Sequence, residues 1–367
     1  MWRSGAFAGE FLDALVSNST MTGTSVGVSL DAIVSALRDS GGLCSTVPAS
    51  GSFMPCDLLD AASAAALVEL RTLLVDAQAL NNELQTITDD DAFALLLAKL
   101  IAMLGDLPPG QRVIVPGGWK GKGGSVALMH VVERLSPTRF GFTTVNTQIP
   151  EKKAEHHAIS MEFYPKMKIR AAIRLECDAA KILDEGFWFM LLQNNRTSDA
   201  NVHGPAVLYE SLLPHLAEKQ LHAAIADAGA AAQGEWETPQ RSGRCFYRVV
   251  LSTCRYLLRE LGLNREQRKR VTLALRVQFL VDAVAQIEAR EKSTERWVLP
   301  PSEIRAVLCA IRSTARAAAK RDGSGCDGTL TAGASGELAA ITAWLTGEFL
   351  FQCPVPVHAI PAHELTL

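Results

Sequence analysis

A thiol is the first group in this chain that could do chemistry. Gln240, Gly243, Cys245 and Phe246 fall within a few residues of one another, and an amphipathic run with apolar positions at 246, 249, 250, 254, 257, 258 and 261 follows at once. That spacing predicts a helix over 246–261, stopped by Gly262, with Cys245 at its N-terminus. Oriented N–H groups at a helix start favour the thiolate over the thiol, and Arg241, Arg244 and Arg248 would add to the same field. A thiolate so placed attacks carbonyl carbon. The negative charge that then develops on oxygen needs donors, each worth about 3 kcal/mol, and the Gln240 amide with the Cys245 backbone N–H could supply two. Gly243 lets the backbone turn tightly between them.

A nucleophilic thiol also needs a base. His130 lies in the first arm of an expected hairpin and Asn146 ends the second arm, while His157 and His156 follow in a Lys/Glu-containing loop. By spacing His130 ranks first as the base, His157 second and His156 third, with Asn146 orienting the imidazole.

These residues resemble the papain-like cysteine peptidases. That family carries a glutamine shortly before a Gly-x-Cys-aromatic step that opens its central helix, with histidine and asparagine on a facing sheet. Here the sheet precedes the cysteine helix, so the resemblance, over about residues 111–262, is to a circularly permuted arrangement. It implies cleavage of a peptide or isopeptide bond, with Cys245, His130, Asn146 and Gln240 as the site and Trp119 and Gly124 beside a substrate groove. Relatives often place the histidine directly after a Gly-Gly pair. Ser125 stands there in this chain, after Gly123 and Gly124; if that is the equivalent position, the base is missing and the enzyme is inactive.

The elements that must position such a site read as α+β, predominantly helical: a small antiparallel sheet packed on the cysteine helix, with helical N- and C-terminal additions. Residues 57–87 carry apolar side chains at spacings of three and four, and Asp89 caps a second helix that ends before Gly105 and Pro108. Strands are expected at 112–115, 126–134, 140–147 and 167–175, with a Gly-rich loop over 116–124. Helices follow at 179–193, 205–217 and 219–231, and Asn264 with Gln267 forms a capping-box start for another. Phe187–Leu192 is a core block. The expected domains are 1–108 (helical), 109–320 (papain-like with a helical extension), a linker over 321–336, and a C-terminal helix and tail over 337–367.

With 367 residues, 48% hydrophobic and 20% charged, the chain is a folded protein of one or two domains. A net charge of −3 favours neither nucleic acid nor an anionic membrane. The most apolar run, 93–104, is broken by Lys99 and falls short of the roughly 20 residues that a membrane span needs. The N-terminus reaches Glu10 and Asp13 too soon for a secretory signal, so a cytoplasmic location is expected. Eight cysteines show no C-x-x-C and no zinc spacing, which fits free thiols; no metal or cofactor is expected. The Gly-rich segment lacks the phosphate-loop pattern. Two readings follow. One is a thiol hydrolase acting on a protein or peptide, such as one bearing a ubiquitin-like tail, or a degenerate form of it. The other is a non-catalytic helical scaffold or interaction module of a larger polypeptide.

Overall fold

The structure is a computed structural model that describes residues 25–37, 59–121, 124–148, 157–160, 167–196, 204–232, 234–239, 245–272 and 274–275. The chain is α+β and mostly helical, with an antiparallel sheet of four strands and another of three. It divides into two compact units. One contains residues 22–34 and 69–262; the other contains 1–21, 35–68 and 263–367.

The first unit is built on the four-stranded sheet, in the order β1 (Arg112–Gly121), β2 (Gly124–Ser136), β3 (Arg139–Val145), β6 (Ala172–Asp178). The expected loop over 116–124 is instead the tip of the β1–β2 hairpin. Lys120 pairs with Ser125 and Gly121 with Gly124, and the pairing continues to Arg112 with Glu133. Gly118 makes this possible. Its φ of +147° and the closeness of the Val126 carbonyl, 2.0 Å from where a Cβ would stand, exclude any side chain there.

Helices cover both faces. On one face, α3 (Asp90–Asp106) contributes Phe93, Leu97, Leu100 and Leu104, and α5 (Glu185–Arg196) contributes Phe187 and Trp188, to a single core with Val115, Leu128, Val132 and Phe142. The expected domain border at 108 is therefore not a border between cores: α3 and the sheet bury their apolar sides together. Asp89 caps α3 as expected, accepting from the Ala92 N–H at 2.7 Å. The single helix expected over 179–193 is two, α4 (Ala179–Ile182) and α5, because Asp184 turns to cap the second, accepting from Gly186 N–H at 2.8 Å. Between α2 (Ala61–Thr86) and α3 runs a surface ion pair, Lys99 with Glu83.

On the other face lies α8 (Cys245–Glu260), against β2 and β3. Val249, Val250, Cys254, Leu257 and Leu258 are buried along it, the stripe expected from the sequence. The Tyr256 hydroxyl meets the Thr143 hydroxyl at 2.9 Å. Farther along, Arg174 of β6 binds Glu260 of α8 at 3.1 Å and Glu133 of β2 at 2.9 Å, and Glu133 also holds Arg112 of β1 at 2.6 Å. These half-buried charges alternate in sign, so each is compensated by a neighbour.

The second sheet is small: β4 (Ile159–Ser160), β5 (Lys168–Arg170) and β7 (Trp236–Glu237), with β5 in the middle. β5 and β6 are one extended stretch that changes sheets at Ala171. The helical run expected over 205–217 contains a π-helical segment, Val207–Leu212, leading into α6 (Leu213–Ala217). Leu213 N–H reaches back five residues to the Leu208 carbonyl, and Pro214 has no N–H to donate. A helix with a missing donor widens its turn there. α7 (Leu221–Ala232) follows.

In the second unit, Asn264 and Gln267 form the expected capping box: Gln267 Oε1 accepts from Asn264 N–H at 2.9 Å, and Asn264 Oδ1 accepts from Gln267 N–H at 3.0 Å. Asp60, which caps the start of α2, also accepts from the Gln267 amide at 2.9 Å. α1 (Ser25–Ala36), most of which belongs to the first unit, buries Leu30 and Ile33 there. The linker and C-terminal helix expected over 321–367 lie outside the described residues.

Gly118→Ala is expected to cost roughly 2–4 kcal/mol, since it combines a forbidden φ with a backbone clash. Urea unfolding followed by circular dichroism should show a lower midpoint at unchanged slope.

Candidate functional site at the sheet corner

Of the four residues expected to form a thiol site, Gln240 and the Cys245 side chain lie outside the described residues, and His130 is turned away from the helix that Cys245 begins. His130 stands directly across from Thr144 in the β2–β3 register, and Val131 stands across from Thr143. Neighbouring residues of a strand point to opposite faces. Thr143 faces α8, so His130 faces away from it, toward α5. Its ring stacks on Phe142 at 5.3 Å, and Phe142 in turn meets Phe187 and Trp188. Nδ1 lies 3.1 Å from the Thr144 hydroxyl, and Nε2 is packed on the Gly117 backbone without a hydrogen-bond partner. A side chain at 117 would sit 2.6 Å from that nitrogen, so the glycine is what admits the ring. Complete burial pushes the imidazole down to about 3. His130 is thus a neutral core residue and not a base for a thiol on α8.

Asn146 and His157, in contrast, meet. Asn146 directly follows β3, and its N–H donates to the Ala171 carbonyl at 2.8 Å. His157 precedes β4, and Arg170 N–H donates to the adjacent Ala158 carbonyl at 2.9 Å. Both therefore sit where β5 passes into β6. Joining them is Tyr209, from the π-helical segment, which the sequence reading did not single out. Its hydroxyl lies 2.9 Å from Asn146 Nδ2 and 2.8 Å from His157 Nε2. The Trp119 ring packs edge-on against Tyr209 at 6.5 Å between centroids. His157 and Tyr209 are both buried.

The distances fix the protons. Arg170 O, 2.9 Å from His157 Nδ1, is a carbonyl and can only accept, so Nδ1 carries the hydrogen. In the neutral ring Nε2 is then the acceptor, and Tyr209 O–H must donate to it. The phenol oxygen is left to accept from the Asn146 amide, whose own oxygen accepts from Gln148 N–H at 3.0 Å. Each of these four hydrogen bonds then has one donor and one acceptor. Burial raises the Tyr209 phenol above its ordinary value, the Asn146 bond opposing only in part, so passing its proton to the imidazole is uphill.

Of the thiols, Cys177 and Cys254 are buried and burial pushes each up to about 12, which makes them poor nucleophiles. Cys245 is the first residue of α8, as the sequence predicts. Its side chain, Gln240, Gly243, Arg241, Arg244 and His156 lie outside the described residues. Arg248 donates to the Thr238 carbonyl at 3.1 Å. Trp119 is buried in the core, and Gly124 sits at the hairpin tip. On the α8 side of the same corner is a shallow cleft lined by Val145, Ala171 and Ala172. Its Glu237 carboxylate already accepts from Ser252 at 2.6 Å and Arg255 at 3.2 Å. Among the described residues no group of His, Cys, Asp or Glu could hold a metal ion, and no helix is long and apolar enough to cross a membrane.

No protein-family model matches the chain, and no curated protein sequence matches it. Among solved structures it is similar to one described as the structure of the Legionella effector AnkH. The TM-score is 0.46 and the identity 10%, over 96% of this chain and 70% of that one. No residue role is transferred from that likeness.

Two outcomes are expected. Tyr209→Phe removes one hydroxyl but leaves two buried partners short, so it should cost about 2–3 kcal/mol, more than an ordinary single hydrogen bond, in chemical denaturation. The pH dependence concerns His130. Its folded value lies near 3 and its unfolded value near 6.5, so the unfolded chain binds the extra proton between them. Stability from this residue is complete above pH 6.5 and falls by up to about tenfold in the unfolding constant per pH unit below it. His130→Gln should flatten the measured slope by that amount.

Proposed function

We propose that the chain acts through binding and not through thiol chemistry: a non-catalytic protein-interaction module built on a helix-backed sheet. The observation that carries this reading is the state of its imidazoles. His130 is sealed on the face of the sheet opposite α8, and His157 has both ring nitrogens committed, one to the Arg170 carbonyl and one to Tyr209. Large apolar side chains left at the surface, Leu95 at 72% and Phe189 at 44% exposure, suit contact with a protein partner. A catalytic thiol would need the base that these two histidines do not offer.

The thiol-hydrolase reading keeps one specific support. α8 begins at Cys245 and lies on β2 and β3, the helix-on-sheet arrangement that such chemistry uses. In that reading His156 is the base, Gln240 holds the oxyanion, and the substrate is a peptide or isopeptide bond of a protein such as one with a ubiquitin-like tail.

One experiment separates the two. Iodoacetamide at pH 6, followed by peptide mass mapping, measures the rate at Cys245 against a cysteine in a short unstructured peptide. The interaction reading predicts a ratio near one or below. Labelling about a hundredfold faster, abolished by His156→Ala, would establish an activated thiolate and overturn it.

A further inference from the structure

α3 is apolar on every side. Phe93, Leu96, Leu97, Leu100 and Leu104 are buried on the side that meets the sheet and α5. At 100° per residue, Ala94, Leu95, Ala98 and Ala102 fall on the opposite side, and all four are exposed. Leu95, at 72%, is the most open large apolar side chain among the described residues, and Met103 on its flank is 39% exposed. Water selects charged residues for such a face. A helix that is hydrophobic all round belongs inside a larger body, so a second layer is expected over this one.

The few charges there say which surface fits. Asp91 lies one turn before Leu95, and Lys99 lies one turn after it. Two copies of α3 laid antiparallel about a two-fold axis at Leu95 bring each Leu95 against its counterpart and each Lys99 level with the other copy's Asp91. A parallel pair would set lysine on lysine and aspartate on aspartate. Asp91 is exposed and makes no ion pair among the described residues. Lys99 already meets Glu83 at 2.7 Å, but both are exposed, and its ammonium has donors to spare. With nothing beyond Cβ at 94, 98 and 102, the two backbones can come to about 8 Å, the near end of helix spacing.

We propose that a second copy of this chain docks on the outer face of α3, helix against helix and antiparallel, with Lys99 and Asp91 setting the register. This rests on the reading of the chain as a protein-interaction module and names its partner. The labelling rate of Cys245, which tests that reading, does not depend on α3, so either can fail without the other.

The test is analytical ultracentrifugation of the full chain up to about 500 μM. One helix per copy lies at the small end of specific interfaces, so a monomer–dimer equilibrium with a dissociation constant of about 1–100 μM is expected. Leu95→Arg should weaken it at least about tenfold while circular dichroism and the unfolding midpoint stay as they were, because the side chain is open in the single chain. Asp91→Lys and Lys99→Asp should each weaken it as well, since like charges then face each other. Mixed in equal amounts, those two variants should pair with one another more tightly than either pairs with itself. A chain that stays monomeric to about 500 μM, a dimer that Leu95→Arg leaves equally tight, or a mixture no tighter than its separate components would overturn the proposal. Should either charge variant fail to fold, Leu95→Arg alone decides.

Discussion

A buried run of hydrogen bonds from Asn146 through Tyr209 and His157 to the Arg170 carbonyl fixes the place where one extended stretch leaves the four-stranded sheet and enters the three-stranded one. At such a corner the strand partners change, and carbonyls at 170 and 171 would otherwise have to find partners one by one. Here a backbone N–H from β3 and an imidazole from the segment before β4 serve adjacent carbonyls, and a single phenol joins the two. The phenol comes from the π-helical turn that precedes Pro214.

That constraint decides the chemistry within reach. The histidine nearest the corner is held as a neutral hydrogen-bond relay, and the one inside the sheet is sealed on the face away from α8. α8 is pinned to the opposite face by Tyr256 with Thr143 and by Arg174 with Glu260. His130 faces away from the thiol helix and His157 is held by the Arg170 carbonyl and Tyr209, which is why binding, and not acyl transfer, is the function proposed.

Much of the fold is legible in the residue order. The apolar stripe of α8, the Asp89 cap, the Asn264 and Gln267 box and the strands of the sheet all follow from local patterns. The hairpin tip over 116–124 is hidden by its glycines, which read as a loop although Gly117 and Gly118 serve a close approach inside a strand. Side-chain direction was the harder question. β2 is buried on both faces from Ala127 to Val132, so its apolar run carries no alternation to say which way His130 points. Asn146 and His157 were both singled out from spacing, but their connection runs through Tyr209, more than fifty residues on, and no local pattern announces it beyond the proline at 214.

The most direct measurement is a double-mutant cycle between Asn146→Ala and His157→Gln, run in the natural background and again with Tyr209→Phe. If the phenol makes the two a single unit, the first cycle gives a coupling of about 1 kcal/mol or more and the second gives close to zero. Additive effects in the natural background would contradict the account, since the two side chains would then act on the corner separately.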